Sequence, residues 1–256
     1  MERERLEAIW ERTVEKLKEV VREFKITEAE LHEAGDYFDR LGQSGMCRSL
    51  IDVALAMTSV DVVASKSGGT RPNLEGPYYA QHPFRTDGNL LDREPAADAA
   101  RLVLHGTVTD TTGAPVANAE LDFWQADSEG IYDRKGTHLR GKIKTNSSGR
   151  YQVTTIVPQD YAEHDHDPIG ELFRAMGRPN IRAAHVHIKV YVAGELRLTT
   201  QVFMPTSEYL ERDYVEGAVT DDLIVRFEPA PSAGGQPSFR AKFDIAIAAS
   251  PGAVAG

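Results

Sequence analysis

The chain has a single cysteine, Cys47, in 256 residues. No intrachain disulfide can form, and no thiolate cluster can hold zinc or an iron–sulfur centre. Positive charge is also short: 29 Lys and Arg stand against 39 Asp and Glu, for a formal charge of −10. That balance disfavours a phosphate backbone or an anionic membrane surface as the main partner, so no nucleic acid is expected. No apolar run approaches the length needed to cross a bilayer, so no membrane span is expected. The charged start, Met1 to Glu7, lacks the basic, apolar, small-residue order of an export signal. A cytoplasmic location is the expectation. Internal repeats and low-complexity tracts are missing too, while 41% hydrophobic and 27% charged residues describe an ordinary globular chain.

Two kinds of periodicity divide what is present. Leu6, Ile9, Trp10, Val14, Leu17, Val20, Val21 and Phe24 fall at spacings of three and four, which predicts an amphipathic helix. Thr27 followed by Glu30 predicts a capping box opening a second helix that carries Leu31, Phe38 and Leu41. A third apolar stretch, Leu50 to Val63, runs into Ser67-Gly68-Gly69-Thr70-Arg71-Pro72, which breaks any helix. The boundary is placed there: an α-helical region over 1–70, then a second region over 71–256.

Beyond the break the period falls to two. Leu102, Leu104, Gly106 and Val108 alternate, a turn follows at Thr111 to Pro115, and Ala119, Leu121 and Phe123 resume, which predicts a hairpin. The same pattern predicts pairing of Ile143–Thr145 with Tyr151–Thr155 around Ser147-Ser148-Gly149, and of Ala184–Val192 with Leu196–Phe203 around Ala193-Gly194. Late strands are expected at Leu223–Phe227 and Phe239–Ile247. Ser232–Pro237 reads as a loop and Ser250–Gly256 as a tail. Short strands separated by turns predict a mainly β chain, an antiparallel sandwich or barrel preceded by helices.

The sharpest chemical signal is His185-Val186-His187. Residues two apart on a strand share a face, so both imidazoles point one way, about 7 Å apart along the chain. They either ligate one metal or are hydrogen-bonded histidines of the sheet. Without thiols, further donors must be carboxylates, tyrosines or histidines. His164-Asp165-His166-Asp167 is one candidate, although a proline-followed polar loop more commonly holds solvated side chains. Tyr132 and Tyr161 are others, and packing is a tyrosine's ordinary role.

The arrangement resembles the intradiol ring-cleaving catechol dioxygenases, a family whose ferric iron is held by two tyrosinates and two histidines. The resemblance rests on Pro158 before Tyr161, Arg182 three residues before His185-Val186-His187, and Thr199-Thr200-Gln201. Upstream, Gly113 to Ala119, Phe123 to Asp127, Gly130-Ile131-Tyr132 and Glu75-Gly76-Pro77-Tyr78-Tyr79 are similar to further family segments. The helical N-terminal region also resembles the catechol and chlorocatechol branch. Ala183 departs from the pattern, since the family usually has proline there.

What the resemblance implies is specific. Fe(III), non-haem, would be held by Tyr132, Tyr161, His185 and His187. Tyr161 would also leave the metal and act as an internal base. Arg182 would stabilise negative charge on the substrate, with Gln201 orienting it, and the two could otherwise be a structural ion pair and a satisfied buried amide. Leu74, Pro77, Tyr78, Asp52 and Val53 would line the ring cavity. The reaction would insert both atoms of O2 and open a catechol, chlorocatechol or hydroxyquinol to a cis,cis-muconate. The N-terminal helices would form a homodimer, with a phospholipid held at the seam. Two rivals are a ferrous oxygenase using His185, His187 and Asp165 or Glu163, and a transthyretin-like sandwich that only binds.

Overall fold

The structure is a computed structural model that describes residues 2–64, 68–231 and 235–248. Helix α1 spans Arg3–Phe24 and ends where Lys25 takes a left-handed conformation with φ 53°. Helix α2, Glu28–Gln43, opens on the expected capping box: the Glu30 N–H donates to Thr27 Oγ1, and the Thr27 N–H donates to Glu30 Oε2 at 2.7 Å. The third apolar stretch divides into α3, Cys47–Ile51, a π turn over Asp52–Ala56, and α4, Met57–Ala64. Leu41, Val53 and Met57 are buried in the same continuous core as the strands. Arg71 ties α4 down as well, reaching Asp61 through Nε and Nη2, both at 2.9 Å. Of the expected break, Ser67 lies outside the described residues, and Gly68 and Gly69 follow with φ 63° and 90°. At Gly69 a Cβ would sit 2.5 Å from the Ala246 carbonyl oxygen, so only glycine fits.

The strands are β1 Arg101–Asp110, β2 Glu120–Gln125, β3 Arg140–Lys144, β4 Arg150–Ile156, β5 Tyr161–Ala162, β6 Ile181–Arg182, β7 His185–Val192, β8 Glu195–Phe203, β9 Phe227–Pro229, β10 Ser238–Lys242 and β11 Ile245–Ile247. One short helix, α5, Pro168–Ala175, lies between β5 and β6. One sheet runs β3-β2-β7-β8, antiparallel throughout. The other is built on β1, which pairs antiparallel with β4 and parallel with β10 and β11; β9 lies beyond β10. Leu102, Leu104 and Val108 point inward from β1, and Leu121, Phe123, Val186, Ile188 and Val190 meet them from the other sheet. The result is a mostly antiparallel sandwich preceded by helices.

Two of the three expected hairpins do not form. After β1 the turn closes locally, with a Thr109–Pro115 bridge, but β2 then joins the opposite sheet. Likewise β3 pairs with β2 and β4 with β1, so the Ser147-Ser148-Gly149 turn carries the chain between layers. Alternating strands beside a turn look the same whether the turn folds the chain back or across, because both faces of the sandwich interior are apolar. The β7–β8 hairpin forms as expected through Ala193 and Gly194, with φ 52° and 84°. Leu223–Phe227 is not a strand: Asp221–Leu223 is a 3-10 turn and β9 begins at Phe227. Phe239–Ile247 splits into β10 and β11 around Asp244, whose Oδ1 accepts the Thr107 N–H at 2.9 Å. The Ser250–Gly256 tail and part of the Ser232–Pro237 loop lie outside the described residues.

Candidate metal centre and the cavity beside it

Strand β7 buries its first six residues on both faces. Its inner face feeds the core; its outer face carries His185 and His187, and the cross-strand register sets Trp124, His187 and Gln201 in one row. The two Nε2 atoms are 3.0 Å apart. Tyr132 Oη lies 3.1 Å from His187 Nε2 and 3.5 Å from His185 Nε2. The Tyr161 ring stands perpendicular to that of Tyr132, with centroids 5.4 Å apart, and 5.8 Å from the His185 ring. All four side chains are buried.

Each donor is held from behind. His185 Nδ1 faces the Ala183 carbonyl at 2.6 Å, which fixes the proton on Nδ1 and leaves a lone pair on Nε2. Trp124 stacks on His187, with centroids 4.5 Å apart and planes 6° from parallel. Tyr132 leaves β2 through a turn in which the Asp127 carboxylate accepts the Glu129 and Ile131 N–H groups, and Tyr78 stacks on its ring at 4.4 Å. Gly130, at φ 78°, brings this turn onto the second tyrosine: a Cβ there would lie 2.8 Å from the Asp160 oxygen and 2.9 Å from Tyr161 Cβ. Tyr161 itself is paired with Arg182 across β5 and β6.

Burial pushes both tyrosine pKa values up and both histidine values well below the usual range. The protein alone therefore keeps these groups neutral. Two imidazole nitrogens in near contact, flanked by phenol oxygens, form a set of hard oxygen and nitrogen donors with lone pairs turned to one point. A trivalent cation fits that set, because its charge favours phenolate over phenol. Among the described residues no three His, Cys, Asp or Glu side chains come together to hold a metal. That removes the two-histidine, one-carboxylate rival with Asp165 or Glu163, and a metal site in the His164–Asp167 run. His164 Nδ1 instead lies 2.5 Å from Asp167 Oδ2, and Asp167 caps α5.

Beside the tyrosines and histidines lies a cavity of about 550 Å³. Asp52, Val53, Leu74 and Pro77 line it, as does Arg182; Tyr78 faces an adjoining cavity of about 410 Å³. The π turn is where Asp52 and Val53 leave regular helical spacing. A larger cleft, about 960 Å³, opens beside β3 and β4; the smaller cavity is the one beside the cluster, because its wall includes Arg182, the cross-strand partner of Tyr161, and Gly76, where a Cβ would lie 3.5 Å from the His187 ring. Arg182 is buried and forked: Nε donates to Asp213 Oδ1 and Oδ2 at 3.0 and 3.2 Å, and Nη2 donates to Gln201 Oε1 at 2.8 Å. Gln201 Nε2 then donates to the Leu74 carbonyl at 2.9 Å. Arg182 is thus both a structural ion pair and a wall of the cavity. Asp213, Tyr214 and Trp124 were not singled out as parts of this site from the sequence, and Glu163 only as a carboxylate ligand of the ferrous rival. Only Trp124, two strand positions after Asp122 and opposite the histidines once register is known, could have been placed.

The sequence comparisons define the class as a ring-cleaving dioxygenase of the intradiol type. Residues 74–249 match the family described as Dioxygenase, and the chain belongs to it. The chain is 36% identical to the 6-chlorohydroxyquinol 1,2-dioxygenase of Cupriavidus pinatubonensis over 81% of this chain and 79% of that one. It is 33% identical to the chlorocatechol 1,2-dioxygenase of Pseudomonas putida, covering 82% of each. Among solved structures, the 3-chlorocatechol 1,2-dioxygenase of Rhodococcus opacus 1CP superposes with a TM-score of 0.87 at 26% identity, covering 96% of this chain and 99% of that one.

Proposed function

We propose that this chain is a ferric intradiol dioxygenase in which Tyr132, Tyr161, His185 and His187 hold the metal, and that its substrate is a catechol, chlorocatechol or hydroxyquinol, opened with O2 between the two hydroxyls to a cis,cis-muconate. The observation that carries this reading is the convergence of two buried phenols and two neutral imidazoles within hydrogen-bonding distance of one another. Bound iron(III) supplies the positive charge that stabilises two phenolates and the electron-accepting centre on which a catecholate becomes reactive toward O2.

The chain's own residues do the rest. A catechol binding as a dianion would release two protons; Tyr161 Oη, a phenolate while it holds the metal, would take one, and the other would leave to water. The Arg182 guanidinium, fixed by Asp213 and Gln201, presents a permanent positive charge to the cavity, where negative charge develops on the ring. Val53, Leu74 and Pro77 exclude water from the ring face, and Tyr78 braces Tyr132.

The helical region over 1–70 is the proposed seat of a homodimer. None of the 22 residues of α1 is buried, and Trp10 and Phe24 are 68% and 70% exposed, so its apolar stripe lacks cover among the described residues. A phospholipid in that seam and a cytoplasmic location complete the proposal; no described helix is long and apolar enough to cross a membrane.

The test is iron content with a visible spectrum, before and after anaerobic addition of catechol, 4-chlorocatechol and hydroxyquinol, followed by oxygen. The expected protein is red-brown from phenolate-to-iron charge transfer, its band moves with each diol, and a muconate forms. A colourless protein with full iron content would overturn the ligand set.

A further inference from the structure

Besides Tyr214, the cavity wall contains six charged or titratable side chains, and five of them are paired. Asp52 meets Arg48 at 3.6 Å, Glu75 meets Lys189 at 2.5 Å, His164 meets Asp167, and Arg182 meets Asp213. Glu163 is the sixth. Its side chain makes no ion pair or hydrogen bond among the described residues, yet it lines both the 550 Å³ cavity and the adjoining one. The Glu163 N–H reaches the Asn180 carbonyl at 3.4 Å, which prolongs the β5–β6 ladder by a step. Two residues after Tyr161, its side chain therefore leaves the strand on the same face as that phenol. Its charge acts on Tyr132, Tyr161, Tyr78, Tyr214 and Arg182, which places it in the middle of the site.

We infer that Glu163 is a specificity-determining residue: its carboxyl accepts a hydrogen bond from a hydroxyl or amino group on the part of the ring that projects into the cavity. This rests on the dioxygenase reading given above. A ring entering the cavity strips water from Glu163. A hydrogen or chlorine at the facing position leaves the carboxyl without a partner, and an unsatisfied buried acceptor is costly. A donor substituent restores the lost bond. Sites of this kind reject an analogue lacking the donor far more strongly than apolar pockets reject an extra group. The favoured substrate class is therefore a catechol bearing a third, hydrogen-bond-donating substituent, in preference to a chlorinated ring.

The test compares kcat/KM for 1,2,4-trihydroxybenzene, 4-aminocatechol, catechol and 4-chlorocatechol in wild type, Glu163→Gln and Glu163→Leu, at matched iron content. Wild type should favour the trihydroxybenzene over 4-chlorocatechol. Glu163→Leu should lower that ratio roughly tenfold to a hundredfold, the range one hydrogen bond to a carboxylate supports, and Glu163→Gln, which keeps an acceptor oxygen, should retain most of it. Equal gains for the amino and hydroxyl rings would assign a general acceptor; a gain for hydroxyl alone would assign a hydroxyl site. A ratio unchanged in Glu163→Leu, or a wild type that prefers 4-chlorocatechol, overturns the inference while leaving the dioxygenase reading intact. Should Glu163→Leu fail to fold, anaerobic dissociation constants of wild type, read from the visible band, decide the matter: equal affinity for the trihydroxybenzene and 4-chlorocatechol overturns it. A wild type that opens none of these rings brings down the dioxygenase reading itself.

Discussion

Helix α1 and strand β7 are both amphipathic stretches, yet α1 buries none of its 22 residues while β7 buries its first six in succession. Among the described residues nothing covers the apolar stripe of the helix. The strand has the core on one face and the tyrosine loops on the other, so even its histidines are sealed from water. Apolar spacing thus states which face seeks cover, and only the tertiary arrangement states whether one chain supplies it. A site that must hold neutral imidazoles and phenols away from solvent belongs on the second kind of element.

That contrast can be broken at graded cost. His185→Ala should have the largest effect: it removes a donor from the sealed face, and ring-opening should fall by roughly a thousandfold or more, since a lost metal ligand forfeits several kcal/mol of charge stabilisation. Stopped activity with undiminished iron, measured by metal analysis, would show that His185 has another role. Next, Leu121→Ala in the sandwich should lower unfolding free energy by about 2–5 kcal/mol in a denaturant titration. Leu17→Asp on α1 should instead keep the visible spectrum and halve the mass seen by light scattering. A mass equal to one chain for the unaltered protein would sink the homodimer.

Gly130→Ala sharpens the comparison at the seam between the tyrosine loops. The added Cβ meets the Asp160 oxygen and Tyr161 Cβ in a left-handed conformation, and a loss of about 1–3 kcal/mol is expected together with a shifted phenolate band. The smallest effect belongs to Asp61→Asn, which unties α4 from Arg71. The hydrogen-bonded Arg71 guanidinium holds the Asp61 carboxyl below the usual carboxylate range. Because the folded pKa is depressed, this contribution is present above the unfolded value of about 3.9 and disappears as pH falls through the folded one. The side chain is half exposed, so solvent screening keeps the effect under about 1 kcal/mol. Melting curves of wild type and variant should differ at pH 7 and draw together as pH falls below about 4.

The helices, their capping box and the β7–β8 hairpin were readable because each depends on residues close in sequence. The four proposed donors were readable through family resemblance, and the structure brings Tyr132, Tyr161, His185 and His187 together. The hairpins expected around Gly113 and Gly149 were misread, since a turn that returns and a turn that crosses between layers use the same residues. Asp213 carried no local signal, and Glu163 was read only as a carboxylate for the ferrous rival. One matters because β6 places Arg182 against it, the other because it lines the cavity while its neighbours Arg182 and His164 pair with Asp213 and Asp167.

The chain's two tryptophans fall on opposite sides of the contrast drawn above. Trp10 stands largely in solvent on α1, whereas Trp124 is fully buried and lies flat against the His187 imidazole. Their fluorescence should therefore separate by colour: a red-shifted emission reporting on assembly of the helices, and a blue-shifted one, quenched when metal loads, reporting on the centre. A single unlabelled sample carries its own two-channel readout of quaternary state and of site occupancy.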